Sequence, residues 1–173
     1  MKTVVLTTFL LLSVQNSFAQ VASNYNASHI SITPAYTILT ASKTPVIAGT
    51  WDDNAAANVN FAALGSGFDF KFNGITQTSA WVSPNGYITF GSAPSTTNYS
   101  PIASSEGYSG AISGFGANLS VNTTAAGTPQ PNSVAYELTG VDGSYILKFE
   151  WRAFRRTLGE TVLMNMQIWL YEG

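Results

Sequence analysis

Three oxygen-bearing side chains stand side by side after a tryptophan, at Asp52, Asp53 and Asn54. Carboxylate and amide oxygens are the ligands that Ca²⁺ takes from proteins, so this triplet is the candidate metal site. It lacks the spaced acidic residues of a dedicated calcium loop, and Asp and Asn also favour tight turns by bonding nearby backbone. A turn is therefore the prediction here. A calcium site is the alternative, and no other cofactor is predicted.

Residue types for covalent or acid–base catalysis are sparse in this chain. It has a single histidine, His29, and no cysteine, so a nucleophile–histidine set is not predicted. A glycosidase needs two carboxylates about 5–10 Å apart across a cleft. Glu137, Glu150 and Glu160 instead lie in or beside alternating strand patterns, which predicts outward-facing, solvated charges. The sequence predicts that the protein is not an enzyme.

Aromatic residues in the polar stretch 92–131 are the candidate ligand-binding residues: Tyr99, Tyr108 and Phe115. An exposed aromatic ring offers an apolar face on which a sugar or an apolar side chain can pack. Aromatic side chains of a β-sandwich more often fill the core, and this is the competing interpretation. If exposed, these residues predict a partner that is an extracellular glycan or a surface protein.

Period-two patterns indicate the elements that must position these residues. Phenylalanine alternates with charged residues at 68–72, and residues 145–154 and 162–170 also place apolar residues at every second position. Asn73-Gly74 predicts a type I′ hairpin into a strand at 75–83, and Pro84-Asn85-Gly86 predicts a reversal into 87–90. Weaker patterns predict strands at 35–40, 45–47, 111–119 and 133–138, and a loop or short strand at 55–64. The prediction is an all-β fold of two packed antiparallel sheets, a β-sandwich of jelly-roll-like or immunoglobulin-like topology.

The first residues of the chain have the pattern of a signal peptide. Lys2 precedes an apolar run at 3–12, and a small-x-small site ends at Ala19. Cleavage is predicted between Ala19 and Gln20, leaving an exposed leader at 20–33 and a sandwich domain at 34–173. The apolar run is shorter than the about 20 residues that cross a bilayer as a helix. The mature protein is predicted to be secreted or at the cell surface, without membrane insertion.

Composition agrees with an exported β-protein and excludes one partner class. Only 9% of the residues are charged, the formal net charge is −2, and the seven Lys and Arg form no basic stripe of the kind that nucleic acids require. No nucleic-acid partner is predicted. Because cysteine is absent, the stability of the exported domain must come from its sheet core rather than from disulfides.

Five ordered segments carry a resemblance to a known family: YTI at 36–38, GFDFKFNG at 67–74, VSPNGYITFG at 82–91, FEW at 149–151 and QIWLYEG at 167–173. With them the chain resembles the N-terminal β-sandwich module of secreted and surface proteins of Bacteroidota, which often carry a C-terminal type IX sorting domain. The central segment is also similar, more weakly, to nidogen-like extracellular domains.

The resemblance implies an extracellular, non-catalytic module without a settled ligand. Such modules usually carry a Trp-Asp-Asp motif after a proline-rich strand, where this chain has ISGFGANL at 112–119, so no role of that motif is carried over. The predicted function is adhesion or structural support within a larger surface protein. The alternative is a carbohydrate-binding module of a polysaccharide-degrading system.

The last predicted strand is expected to be an exposed edge. Residues 162–171 are still apolar at alternate positions where the sequence stops. A long regular edge is a template for pairing with another chain. The expectation is a sandwich domain that is incomplete at its C-terminus and prone to associate through this strand.

Overall fold

Ten strands run through the described residues. The computed structural model describes residues 36–47, 51–65, 67–120, 134–156 and 162–173, and apart from residue 36 they belong to the compact unit Thr37–Gly173. The strands are β1 (Thr44–Ile47), β2 (Ala57–Asn60), β3 (Phe70–Phe72), β4 (Ile75–Gln77), β5 (Ser79–Ser83), β6 (Tyr87–Phe90), β7 (Gly110–Ser113), β8 (Val134–Thr139), β9 (Ile146–Phe154) and β10 (Met164–Tyr171). Two short 3₁₀ helices, Phe61–Leu64 and Pro101–Ala103, complete the described secondary structure.

The strands form two four-stranded antiparallel sheets and one hairpin. Sheet A has the strand order β1-β8-β9-β10, sheet B has the order β2-β5-β6-β7, and β3 pairs with β4. Apolar residues of both sheets share one buried cluster. The prediction of an all-β fold with packed antiparallel sheets is confirmed.

Strand β9 supplies the centre of the core. Leu147, Phe149 and Trp151 alternate along it and are fully buried, as the sequence pattern predicts. The indole Nε1 of Trp151 donates a hydrogen bond to the backbone oxygen of Ser83 in β5, at 2.8 Å. Trp151 therefore joins sheet A to sheet B by a polar contact as well as by packing.

The Asn73-Gly74 hairpin forms as predicted, but the strand after it is shorter than expected. Asn73 and Gly74 have φ angles of 51° and 76°, which suit a type I′ turn. The predicted strand at 75–83 is instead β4 in the hairpin and β5 in sheet B. The predicted strand is interrupted at Thr78. The Thr78 carbonyl accepts the Phe61 N–H at 2.9 Å instead of a hydrogen bond from the hairpin.

One other weak strand prediction is corrected, and the loop or short strand predicted at 55–64 is confirmed in part. The strand expected at 111–119 ends at Ser113, because the N–H groups of Gly114 and Phe115 turn to the Gly86 carbonyl at 3.2 and 3.1 Å. Residues 55–64 form the short strand β2 and then a 3₁₀ helix. That helix begins where the Asn60 side chain accepts the Ala62 N–H.

The strand predicted at 35–40 is wrong over its described part, which lies on sheet A as an extended strap, defined here as residues 37–40. The Leu39 N–H donates to Glu150 Oε1 at 3.1 Å, and the Thr40 N–H donates to Glu137 Oε2 at 3.2 Å. The prediction that Glu137 and Glu150 are solvated is therefore also wrong, since they are 8% and 1% exposed. Alternation along the strands was predicted correctly, but a remote segment covers the outer face.

Replacing Glu150 by leucine is expected to lower the free energy of unfolding by about 2 kcal/mol, because the buried Leu39 N–H loses its acceptor. The amide of Leu39 should also exchange with solvent deuterium at least about tenfold faster. Glu150→Gln is the matched control, because its amide oxygen can still accept that bond. Unchanged exchange at Leu39 in Glu150→Leu would show that the carboxylate does not hold the strap.

Several predictions lie outside the described residues. They are the signal peptide at 1–19 with its cut between Ala19 and Gln20, the leader at 20–33, His29 and Glu160. These stay predictions, as do the boundaries 34–173 of the domain. In the described part of the chain no helix is long and apolar enough to span a membrane.

Candidate functional site

The turn between β5 and β6 organises the loop that carries the predicted ligand-binding residues. Asn85 is fully buried; its Nδ2 donates to the Thr96 carbonyl at 2.9 Å, and its Oδ1 accepts the Leu119 N–H at 3.2 Å. One amide side chain thus fastens the segment 92–119, in which loops flank β7, near both of its ends. Burial of an amide side chain costs little free energy when its donor and acceptor are both hydrogen-bonded, and these bonds favour one conformation of the loop.

Tyr87 anchors the middle of the same loop. Its ring is fully buried in β6, and its hydroxyl donates to the Asn98 carbonyl at 2.9 Å. Burial raises the pKa of Tyr87 to about 12, because an ionised phenolate would lose its hydration there. Tyr87 therefore stays a neutral donor over the physiological pH range.

A polar network beside this anchor shapes the loop surface. The Asn98 side-chain amide donates to Ser104 Oγ at 3.0 Å and to Glu106 Oε2 at 2.9 Å, and the backbone N–H of Ser95 donates to Glu106 at 3.1 Å. Hydrogen bonds from Ser95 and Asn98 lower the pKa of Glu106, since they favour its charged form. The network presents a fixed carboxylate at a half-buried position.

Tyr99 brings two predicted groups together. Its hydroxyl donates to Asp53 Oδ1 at 2.8 Å, which links the loop to the triplet Asp52, Asp53 and Asn54. This bond to the carboxylate raises the pKa of Tyr99. Beside it, Asp52 and Asn54 close the predicted tight turn, in which the Asn54 N–H donates to the Asp52 carbonyl at 2.9 Å.

The triplet Asp52, Asp53 and Asn54 does not belong to a larger group of metal-binding side chains within the part of the chain that is described. There, no three His, Cys, Asp or Glu side chains come together as a metal-binding group. Asp53 accepts the Tyr99 hydroxyl, and Asn54 Oδ1 accepts the Asp52 N–H at 3.3 Å. The Asp53 oxygen helps to position the loop, the Asn54 oxygen closes the turn, and the calcium alternative stays untested.

Two open depressions meet at Tyr99. A polar groove of about 440 Å³ is lined by Ser95, Thr97, Asn98, Tyr99, Ser100, Ala103, Ser104, Ser105 and Glu106. An adjoining cleft of about 230 Å³ is more apolar and is lined by Tyr99, Ser100, Pro101, Ile102, Ala103, Ser113, Phe115 and Gly116. Tyr99, Ser100 and Ala103 line both depressions. We name the depressions the polar groove and the apolar cleft.

The predicted aromatic residues have different places in this surface. Tyr99 lines both depressions, and Phe115 lines the apolar cleft with 42% of its surface exposed. Phe115 also packs edge-on against Phe154, with 5.6 Å between ring centres. Tyr108 is not among the lining residues of either depression; its hydroxyl donates to the Pro101 carbonyl and thereby supports the 3₁₀ helix.

Ile102 and Glu106 belong to the residues of this surface that were not among the predicted site residues. Ile102 is 72% exposed at the mouth of the apolar cleft, and Glu106 lies in the polar groove. Pro101 was a usable signal for the short helix that carries Ile102, because proline is favoured at the first position of a helix. Nothing local marks Glu106, whose partners come from two other parts of the loop.

A third depression, of about 300 Å³, lies on the outer face of sheet A. It is lined by the strap and, among other residues of sheet A, by Glu137, Lys148 and Trp169. These three residues are direct cross-strand neighbours on β8, β9 and β10, and the Lys148 ammonium sits 4.6 Å from the centre of the Trp169 ring. Trp169 is 45% exposed, as its outward position predicts.

The described fold is an all-β module in which a long loop region with two surface depressions lies on a sheet scaffold. The NIDO related family matches residues 24–173, and the chain belongs to this nidogen-related family. The predicted nidogen-like likeness is confirmed and extends well beyond the central segment. Membership indicates an extracellular, non-catalytic module. No curated protein and no solved structure matches the chain.

Proposed function

We propose that this module mediates adhesion at the cell surface by binding an extracellular protein in the apolar cleft. The observation that carries the proposal is the exposed apolar pair Ile102 and Phe115 beside Tyr99, framed by a polar rim. Isolated exposed apolar residues need no explanation, but a cleft that groups them on a rigid support is typical of a contact surface.

The support of the cleft favours binding over a structural role alone. Tyr87, Asn85 and Tyr108 hold the loop by hydrogen bonds, so the surface is formed before a partner arrives. A preformed surface loses little conformational entropy on association. The small volume of the cleft suits one apolar side chain of the partner as an anchor, with the polar groove next to it available for hydrogen bonds.

A second candidate is a carbohydrate-binding module, and the polar groove is the observation that favours it. The groove combines the Glu106 carboxylate, the Asn98 amide and several hydroxyl groups with the Tyr99 ring on its wall. Hydroxyl and amide groups around an aromatic ring can bind a sugar by hydrogen bonds and stacking. Most of these groups already bond one another, which leaves fewer of them for a ligand.

Export through a signal peptide cut between Ala19 and Gln20, and membership in the type IX-sorted surface proteins of Bacteroidota, belong to the same proposal. The signal-peptide pattern and the five ordered segments support them. An adhesion module within a larger surface protein would be delivered by this route.

Replacing Ile102 by aspartate is expected to weaken binding to the protein partner at least about tenfold, since a charge would enter the apolar cleft. Binding is measured as saturable fluorescence of the labelled chain on arrays of extracellular proteins and of glycans. Val141→Asp is the matched control, because Val141 is 68% exposed in the turn between β8 and β9. Both variants should melt at the parent temperature.

The arrays separate the two candidates. Saturable binding to proteins that falls in Ile102→Asp and persists in Val141→Asp supports adhesion. Binding restricted to glycans, lost in Glu106→Gln but not in Ile102→Asp, replaces adhesion by carbohydrate binding. Absence of saturable binding on both arrays would contradict both candidates.

A further inference from the structure

The charged residues at the apolar cleft and the polar groove are acidic. Glu106 lies in the polar groove, and Asp53 accepts the hydroxyl of Tyr99, which lines both depressions. The sequence has no Lys, Arg or His between Lys71 and Lys148 other than these two, and every lining residue of the two depressions falls in that stretch. A partner that docks here therefore meets negative charge beside an apolar cleft.

Hydrogen bonds from neutral groups hold both carboxylates in place. The Tyr99 hydroxyl donates to Asp53, and Glu106 accepts the Asn98 amide and the backbone N–H of Ser95. Among the described residues, neither Asp53 nor Glu106 forms an ion pair with a Lys or Arg. Neutral donors orient a carboxylate but leave its charge in place. A cation supplied by a partner would meet two carboxylates whose positions are already set.

The ring of Tyr99 adds an aromatic face to these two charges. Tyr99 shares the polar groove with Glu106, and its hydroxyl is bonded to Asp53 at 2.8 Å. An aromatic ring attracts a cation to its face, and nearby carboxylates strengthen the attraction. The methylene groups of a Lys or Arg side chain can also pack on such a ring. Ring and carboxylates together suit one basic side chain.

This place for a cation lies close to the apolar cleft. Ala103 lines both depressions and precedes Glu106 by three residues. Because three residues of fully extended chain span about 11 Å at most, the Cα atoms of Ala103 and Glu106 lie within that distance of each other. An extended partner chain advances about 3.3 Å per residue, so it covers this distance in about three positions. One short segment can therefore reach both places.

We infer that the partner docks through a segment in which an apolar side chain fills the apolar cleft and a Lys or Arg within about three positions of it binds at Tyr99, Asp53 and Glu106. This partner chemistry rests on the proposed function, because it concerns the same cleft. An acidic segment would place like charges together and is disfavoured.

The test is a selection of short random peptides displayed on phage, with the full chain immobilised and the Ile102→Asp chain used to discard peptides that bind elsewhere. The selected peptides should share an apolar residue with a Lys or Arg within about three positions of it, and Asp and Glu should be depleted there. An apolar residue without this enrichment overturns the basic partner and leaves the proposed function standing. Absence of any peptide whose binding depends on Ile102 contradicts the proposed function itself.

Charge removal in the full chain then tests the residues. Asp53→Asn and Glu106→Gln should each weaken binding of the strongest selected peptide about threefold, and together about tenfold, as measured by fluorescence anisotropy. Asn at position 53 keeps an oxygen that can accept the Tyr99 hydroxyl. Asp142→Asn is the matched control, because it removes the same charge from the exposed turn between β8 and β9 and should leave the affinity unchanged.

A charge reversal separates recognition of the cation from damage to the loop. Glu106→Lys should bind the parent peptide more weakly than it binds a peptide in which the basic residue is replaced by Glu. A misfolded loop would weaken both peptides alike. Equal affinities of the parent chain and the Asp53→Asn, Glu106→Gln double variant for the selected peptide overturn the inference, and so does a Glu106→Lys chain that shows no preference for the acidic peptide.

Discussion

Trp151→Ala is expected to lower the free energy of unfolding by about 4 kcal/mol, the largest effect of any single substitution considered. The side chain is fully buried in the shared core of sheets A and B, so its removal leaves a large cavity between them. It also leaves the buried Ser83 carbonyl without its indole donor. The loss is measured as the change in free energy from urea unfolding followed by circular dichroism.

Trp151→Phe is the matched variant that separates the two contributions. Phenylalanine keeps most of the ring volume but cannot donate to Ser83, so the expected loss is about 2 kcal/mol. The difference between the two variants then reports the cavity. If Trp151→Ala unfolded at the same urea concentration as the parent, Trp151 could not be the residue that joins the sheets.

Gly86→Ala is expected to lower the free energy of unfolding by about 3 kcal/mol. Gly86 has a φ of +83°, which disfavours any residue with a Cβ atom. A Cβ there would also lie 2.9 Å from both Leu119 Cδ1 and Phe115 Cβ, closer than such atoms approach in folded proteins. The loop would have to move away from the turn, so Phe115 would shift within the apolar cleft.

Gly74→Ala is the control for this prediction. Gly74 has a similar φ of +76°, but nothing lies within 4 Å of the position of an added Cβ. The expected loss is about 1 kcal/mol, from backbone strain alone. Chemical denaturation of both variants gives the comparison, and equal losses would show that the contacts of Gly86 with Leu119 and Phe115 do not constrain the loop.

The parts of the fold that the sequence predicted well are those specified by neighbouring residues. The buried faces of β9 and β10 follow from period-two alternation over eight or nine residues. The turn at Asn73-Gly74 follows from two residues that tolerate a positive φ. Such signals are local, because side-chain direction and backbone preference depend on adjacent positions.

The candidate site was predicted only in part, because contacts between residues far apart in the sequence bring its groups together. Tyr99 and Phe115 lie at the surface depressions, and the link from Tyr99 to Asp53 joins two predicted groups that are 46 residues apart. Tyr108 looked equivalent to them in sequence, yet its hydroxyl supports the loop from within. The sequence shows that an aromatic residue lies in a polar loop, but it does not predict whether its ring lines the surface or supports the loop from within.

By itself, the amino-acid sequence determined the all-β class, the apolar faces of the long strands and the positions of the tight turns. The tertiary structure decided that residues 75–83 divide between a hairpin and sheet B, and that the strap covers Glu150 and Glu137. Those two carboxylates accept backbone N–H groups 111 and 97 positions away. A strand pattern specifies which side chains share a face, but burial of that face depends on segments brought together only when the whole chain packs.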